Sequence, residues 1–195
     1  MKNLLITGFD PFDGQTVNPS WQSVLALENQ IGEYSLTKLE IPTVFKKGAK
    51  MVIEKAEEIN PDVIICVGQA GGRSAITPEV VAINLMEANI PDNEGYKPVN
   101  EQILQNGENA YFSNLPVRDM VEAIKKEGIP ASLSFSAGAF VCNEVLYTLL
   151  HKFKNTHVKV GFIHVPFLPE QTDGTKPSLK KEEIIKALTL AIKTL

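Results

Sequence analysis

Short apolar segments that alternate with helical segments restrict the fold of this chain more than any other feature. The clearest apolar segment is "VIICVG" at Val63–Gly68, which is rich in β-branched side chains. Such a run is typical of a strand in the centre of a parallel sheet, where both faces are buried. It follows a stretch at Phe45–Asn60 whose apolar residues recur at helical spacing. The pattern therefore predicts a strand that is fed by a helix and lies inside the sheet.

The same alternation continues along the rest of the chain and predicts an α/β sandwich with helices on both faces of one mainly parallel sheet. The sequence Asn18-Pro19-Ser20 predicts a helix start with an N-cap and a proline in the first turn. We expect one domain over residues 1–195. The predicted strands are 4–8, 36–41, 80–85, 132–134 and 158–165, the helices are 18–30, 116–127, 141–153 and 182–195, and a long loop is 86–109.

Composition and charge exclude several classes of partner. The formal net charge is −4 and no block of Lys or Arg is longer than a pair, which argues against a nucleic acid or an anionic membrane surface as a partner. The two cysteines, Cys66 and Cys142, match no zinc-site spacing. With no apolar run long enough to span a membrane and no signal peptide pattern, we expect a cytoplasmic protein with reduced thiols.

Ligands of open α/β sheets bind beyond the carboxyl ends of the strands, so the loops at that edge carry the chemistry. In "SAGAFVCNEVLY", Cys142 lies in the first turn of a predicted helix. One interpretation is a small core residue, because free cysteine is among the most buried side chains. The other is a nucleophile whose pKa is lowered by the helix N-terminus. Cys66, in the middle of a predicted strand, is expected in the core.

Two further side chains lie at predicted strand ends. His164 comes late in the apolar strand of "GFIHVPFLPEQ", and Glu79 follows Thr77-Pro78 in "GQAGGRSAITPE". Each alone has an ordinary interpretation, as a core histidine or as a charge at a strand edge. Together with Cys142 they supply a nucleophile, a base and a carboxylate that orients the base, which is the set that nucleophilic catalysis requires.

The remaining loops are less specific. Phe9 and Phe12 in "GFDPFDG" are either a hydrophobic latch onto the core or an apolar clamp for a flat ligand. The glycine-rich loop at 68–79 matches neither of the common nucleotide-binding patterns. Its Arg73 can be interpreted as a solvated surface charge.

The ordered motifs "GFDPFDG", "NPSW", "GQAGGRSAITPE", "YFSNLPV", "SAGAFVCN" and "GFIHVPFLPEQ" resemble those of the pyrrolidone carboxyl peptidases, also called pyroglutamyl peptidase I. The resemblance runs from Leu4 to the last helix. It implies an open three-layer α/β/α sandwich and a cytosolic cysteine exopeptidase, usually a homotetramer, that acts without a metal or cofactor. Its substrates are peptides with an N-terminal pyroglutamyl (5-oxoprolyl) residue. The family's catalytic residues correspond here to Glu79, Cys142 and His164.

The resemblance also implies a substrate pocket. Phe9 and Phe12 would form its apolar walls, Gln69 would hydrogen-bond the lactam ring, and further lining residues would be Ile90, Phe140 and Val141. The sequence departs from the family pattern in "EANIPDN", where Asn89 stands in place of an arginine. Loss of that side chain would reduce activity only if the side chain, rather than the backbone, serves the oxyanion site.

Two alternatives stay open at the level of sequence. One is a non-catalytic binder of cyclic amides, which would need no reactive thiol. The other is an enzyme of the nucleoside phosphorylase type, which shares a similar sheet architecture. It would need a basic phosphate site, for which Arg73 is the only evident side chain.

Overall fold

The computed structural model describes all 195 residues. Eight strands and five helices follow one another along the chain. The strands are β1 (Lys2–Phe9), β2 (Gln30–Ile31), β3 (Tyr34–Ile41), β4 (Val63–Gln69), β5 (Thr77–Pro78), β6 (Val81–Ile83), β7 (Ala110–Phe112) and β8 (Lys159–Val165). The helices are α1 (Pro19–Ala26), α2 (Lys47–Ile59), α3 (Val117–Lys126), α4 (Val141–Phe153) and α5 (Lys181–Ile192).

Six of the strands form one sheet in the order β2-β3-β1-β4-β8-β5. The four inner strands β3, β1, β4 and β8 run parallel, whereas the short edge strands β2 and β5 are antiparallel to their neighbours. The predicted central strand at Val63–Gly68 is therefore confirmed, since β4 lies between β1 and β8 and all its residues up to Gly68 are buried.

Helices cover both faces of the sheet, because alternate side chains of each inner strand point to opposite faces. On one face, side chains of β1 and β4 such as Ile6 and Ile65 pack in a buried cluster with α1, α3 and α5. On the other, side chains such as Leu5 and Ile64 pack with α2 and α4. This arrangement confirms the predicted three-layer α/β/α sandwich with a mainly parallel sheet.

The first helix begins as its sequence predicts. The Asn18 side chain accepts hydrogen bonds from the backbone N–H of Ser20 at 3.0 Å and from its hydroxyl at 2.8 Å, with Pro19 at the first helical position. Asn18 Nδ2 also donates to the Asp10 carbonyl at 2.9 Å, which ties the helix start to the loop after β1. The helix ends at Ala26 rather than near Gln30, because Gln30 already pairs with Ser35 in β2, which turns into β3 at Gly32, where φ is +56°.

Two other predictions differ from the structure around β5 and β6. The predicted strand at 132–134 forms only an isolated bridge between Ser134 and Glu79, beside a second bridge between Ala131 and Ile76, because Pro78 has no N–H with which to continue the ladder. The predicted strand at 80–85 is reduced to β6, and it pairs with β7 in a separate two-stranded sheet instead of joining the main one.

Candidate active site

Three strand ends converge at one edge of the main sheet. In the register between β4 and β8, Gly68 lies opposite His164, and in the antiparallel pair β5–β8 the partner of His164 is Thr77. Glu79 follows β5 directly, so the chain brings its carboxylate to the same place as the imidazole. The short strand β5 therefore positions Glu79 at this edge, just as the carboxyl end of β8 positions His164.

Glu79 and His164 form a buried pair. Glu79 Oε1 lies 2.7 Å from His164 Nδ1, and both side chains are almost completely buried. Burial raises the pKa of Glu79, but hydrogen bonding and charge from His164 outweigh it, so the pKa of Glu79 is lowered from its usual value. An ionised carboxylate can only accept, so Nδ1 carries the proton and Nε2 of the neutral ring is free to accept one.

The imidazole is kept neutral by its surroundings. Burial lowers the pKa of His164, and the hydrogen bond and charge of Glu79 oppose this without cancelling it. The ring of Phe162 lies 4.7 Å from the imidazole, centroid to centroid, and contributes to that burial. A neutral histidine oriented by a carboxylate is the state that a general base needs before catalysis.

Cys142 is the second residue of α4 and is partly buried. Its sulfur lies against the end of β4, where a Cβ placed on Gly68 would come within 3.0 Å of Sγ and 2.7 Å of Phe162 Cζ. Only glycine leaves room for the thiol at this point. No protein group accepts a hydrogen bond from the first backbone N–H groups of α4, at Val141, Cys142 and Asn143, and no side chain caps this helix.

The pKa of Cys142 is raised overall, so the lowering effect expected from the helix N-terminus is outweighed. Burial raises the pKa of this thiol far above its usual value, and the charge of Glu79 raises it further. Arg73 and the residue's own backbone N–H lower the pKa by less. The resting group is consequently a thiol, and a base must remove its proton before it can attack.

Cys142 and His164 line one cavity of about 440 Å³ at this edge of the sheet. Aromatic rings form its apolar wall. The rings of Phe12 and Phe140 lie 6.3 Å apart, and Phe45 supports Phe140 edge-on at 5.2 Å. Polar lining comes from groups that include Asn18, Thr43 and Gln69, and the buried Phe9 is a further apolar lining residue.

Gln69 presents a free donor to this cavity. Its Oε1 accepts a hydrogen bond from Gln171 Nε2 at 2.9 Å, and Gln171 in turn accepts from the backbone N–H of Leu168 at 2.9 Å. These contacts fix the amide of Gln69 with its oxygen engaged, while its NH₂ group has no partner in the protein. The supporting role of Gln171 was not predicted, because it depends on the chain returning after β8.

Six of the nine predicted site residues line the cavity, namely Phe9, Phe12, Gln69, Phe140, Cys142 and His164. Glu79 lies behind His164. Two predicted pocket residues are not in the lining: Val141 is fully buried in the core under α4, and Ile90 lies outside the cavity. Asn89, at the departure from the family pattern, is exposed and also lies outside the lining.

Arg73 is a member of the site that sequence reasoning missed. Its guanidinium donates to Glu79 Oε1 at 2.8 Å, so it is not a solvated surface charge. The only feature of the sequence that points to this role is that Arg73 stands six residues before Glu79, and such a spacing is common. Arg73 was also the only evident side chain for a phosphate site of the phosphorylase type. Its guanidinium is instead paired with Glu79.

No group of three or more His, Cys, Asp or Glu side chains is arranged to hold a metal ion. None of the five helices has the length and apolar character needed to cross a membrane.

A thiol at a helix N-terminus, a neutral imidazole and a buried carboxylate, gathered beside a cavity at the carboxyl edge of a parallel sheet, are the groups that define a cysteine hydrolase. Comparison with known proteins narrows this class. A sequence profile of the family described as "Pyroglutamyl peptidase" matches residues 2–195. This chain therefore belongs to the pyroglutamyl peptidase family, as its motifs suggested.

Individual relatives agree with this assignment. The pyrrolidone-carboxylate peptidase of Bacillus amyloliquefaciens is 52% identical over 197 residues, which cover 99% of this chain and 92% of the relative. A crystal structure of pyroglutamyl peptidase I from the same organism superposes with a TM-score of 0.96 and covers 99% of this chain and 94% of that one. The pyrrolidone carboxyl peptidase of Thermococcus litoralis is 38% identical, with a TM-score of 0.95, and covers 100% of this chain and 93% of that one.

Proposed function

We propose that this protein is a cysteine exopeptidase that hydrolyses the amide bond after an N-terminal pyroglutamyl residue. The observation that carries the proposal is the Glu79–His164 pair, joined at 2.7 Å, on a cavity that also contains the Cys142 thiol. Family membership supports the substrate class. In this proposal the whole chain, residues 1–195, acts as a single peptidase domain.

The first half of the reaction forms a thioester. His164 Nε2 takes the proton of Cys142, and Sγ attacks the carbonyl carbon of the pyroglutamyl group. The oxygen gains negative charge, and the unpaired N–H groups at the start of α4 are its proposed donors. The intermediate collapses as Nε2 returns the proton to the leaving amine nitrogen, which releases the shortened peptide.

The second half regenerates the enzyme. A water molecule gives a proton to His164 Nε2 and attacks the thioester carbonyl carbon. The carbon–sulfur bond breaks, free pyroglutamic acid leaves, and the sulfur recovers its proton from the imidazolium. Throughout the cycle Glu79 keeps its charge and holds Nδ1–H, which stabilises the imidazolium each time it forms.

The cavity suits a small uncharged lactam. The rings of Phe12 and Phe140 offer flat apolar surfaces, and the free NH₂ of Gln69 is a donor for the ring carbonyl. Among the lining residues there is no carboxylate that would hold the ammonium group of an ordinary N-terminus. An amino acid with a free amine would therefore leave the Gln69 donor unpaired and place its own charge against aromatic carbon, which disfavours it strongly.

Two further proposals rest on the family resemblance alone. These are assembly as a homotetramer and a location in the cytoplasm.

Substrate selection gives the first test. Three peptides that differ only in the N-terminal residue, pyroglutamyl, prolyl and glutaminyl, are incubated with the enzyme under reducing conditions, and the products are identified by mass spectrometry. We expect free pyroglutamic acid and a shortened peptide from the first peptide only. The prolyl ring has the same size but a basic amine and no lactam carbonyl, so it should be disfavoured by at least about 10⁴-fold in kcat/KM.

Two outcomes would contradict this proposal. Release of proline at a comparable rate would mean that the lactam is not what the cavity recognises. Tight binding of the pyroglutamyl peptide by folded enzyme with no cleavage would instead identify a non-catalytic binder.

A further inference from the structure

Arg73 contacts two separate parts of the site with one side chain. Its Nη1 donates to Glu79 Oε1 at 2.8 Å and to the Thr77 hydroxyl at 2.6 Å. Its Nη2 donates to the backbone carbonyl of Ser136 at 2.9 Å. The guanidinium therefore spans from the segment that carries the carboxylate to the segment that leads into α4.

The two segments that Arg73 joins deliver different catalytic groups. Glu79 Oε1 is the same oxygen that lies 2.7 Å from His164 Nδ1, so Arg73 and His164 share one acceptor. Ser136 opens the loop that runs to Cys142 through Gly138, where φ is +77°. That loop has one further internal tie, from the Gly138 N–H to the Ser136 hydroxyl at 3.2 Å.

We propose that Arg73 is a positioning residue, which holds Glu79 for His164 and at the same time fixes the loop that places the Cys142 thiol. This inference rests on the proposed function and adds to it a residue that joins its two halves. Arg73 needs no contact with the reacting atoms for this role.

The burial of Glu79 makes this contact important. Glu79 is completely buried, and its second oxygen, Oε2, has no hydrogen-bond partner. All direct hydrogen bonds to the carboxylate therefore come through Oε1, from Arg73 and His164. The nearby Ser134 hydroxyl donates to the Ser136 carbonyl instead. A buried charge with so few partners moves or takes up a proton when one of them is removed.

The shape of the guanidinium matters as well as its charge. Donors on two different nitrogens lie in one rigid plane and reach Glu79 and Ser136 simultaneously. A lysine ammonium is a single point of charge on a flexible stem, so it can pair with the carboxylate or with the carbonyl but does not reproduce the planar bridge. Arg73→Lys therefore separates the two contributions.

The charge of Arg73 also acts on the titrating groups. It lowers the pKa of His164 and, more weakly than burial raises it, that of Cys142. The ionisable groups around the imidazole are Glu79 next to β5, Arg73 after β4 and Cys142 on α4, with Cys66 of β4 near the thiol. Removing the positive charge should accordingly raise the pKa values of both His164 and Cys142.

The test compares Arg73→Met and Arg73→Lys with Arg118→Met, which removes the only other arginine of the chain. Arg118 is exposed on α3 and makes no hydrogen bond or ion pair. For Arg73→Met we expect kcat to fall by about 10- to 100-fold, because small displacements of catalytic groups have effects of this size. KM should change little. The acidic limb of kcat/KM should move to higher pH, because protonated His164 is inactive and its pKa rises when the positive charge is removed.

Arg73→Lys should keep the acidic limb near the wild-type position but still lose kcat, whereas Arg118→Met should match the wild type in both. A second readout needs no turnover: the rate of alkylation of Cys142 by iodoacetamide against pH should shift to higher pH in Arg73→Met only. This readout keeps the inference testable even if the pyroglutamyl substrate is wrong.

Three outcomes would overturn the inference. One is an Arg73→Met enzyme with kcat within twofold of the wild type. Another is a loss of activity that follows a lower melting temperature while both pH profiles stay unchanged, which would show a merely structural residue. Full activity in Arg73→Lys would mean that charge alone suffices and that the bridge to Ser136 has no role.

Discussion

The Cys142→Ala protein is expected to fold normally and to release no measurable pyroglutamic acid, with kcat reduced on the order of 10⁶-fold. The substitution removes one sulfur atom from a partly buried position at the start of α4, so the packing of the helix is retained. What disappears is the atom that attacks the carbonyl carbon. The remaining residues can bind and polarise the substrate, but they cannot form the thioester.

The other cysteine provides a matched control for this prediction. Cys66 is completely buried in β4 and lies near Cys142 without reaching the cavity. Cys66→Ala should lower the free energy of unfolding by about 1 kcal/mol through the small void that it leaves, with kcat close to that of the wild type. The measurements are amine release from a fluorogenic pyroglutamyl amide and denaturant unfolding. A Cys142→Ala protein that retains a tenth of the wild-type rate would exclude Cys142 as the nucleophile.

Glu79→Gln is expected to reduce kcat by about 10³- to 10⁴-fold with little change in KM. An amide in place of the carboxylate can donate to His164 Nδ1, which would favour the ring tautomer with its proton on Nε2. That tautomer cannot accept the proton of Cys142. The change also leaves Arg73 without its carboxylate and removes the charge that stabilises the imidazolium.

Steady-state kinetics over a range of pH measure this effect, with Glu182→Gln as the control. Glu182 is exposed in the first turn of α5 and makes no hydrogen bond, so its variant should behave like the wild type. Because Glu79 raises the pKa of His164, its replacement should also move the acidic limb of any residual activity to lower pH. A decrease in kcat of less than tenfold would show that the imidazole does not depend on this carboxylate.

Elements that depend on local sequence were predicted best. Helix α4 was predicted over Val141–Phe153 and has those bounds, since its apolar periodicity and the small residues before it are both local signals. Likewise, β4 and β8 lie within one residue of prediction, because fully buried parallel strands are continuous apolar runs.

Elements that depend on distant partners were predicted less well. Strand β7 went unrecognised because it exists only through its pairing with β6, across the long loop that separates them. The opposite error at 132–134 has the same origin. Strand-like residues there do not form a continuous ladder because their partner segment contains Pro78. The local sequence pattern of a segment does not show which residues its pairing partner contains.

The candidate site shows the same division. Glu79, Cys142 and His164 could be selected because each stands at a junction of two elements, and the rule for strand ends predicted that they meet. The interpretation in which the pKa of Cys142 is lowered considered only the helix N-terminus, which is a local feature, whereas the burial that raises this pKa depends on the whole fold. Arg73 and Gln171 act through neighbours that only the folded chain brings to them.

If Cys142 attacks a pyroglutamyl group held in the aromatic cavity, a titration of the wild-type enzyme with a thiol reagent should show it. Iodoacetamide is added in steps, with and without the lactam 2-pyrrolidinone, and alkylation at each cysteine is compared with the remaining activity. Cys66 is inaccessible in the folded protein, so Cys142 should be the site of modification. We predict that activity falls in direct proportion to alkylation of Cys142 and that 2-pyrrolidinone slows both. An enzyme that still cleaves pyroglutamyl substrate after Cys142 is fully alkylated would contradict the proposed function.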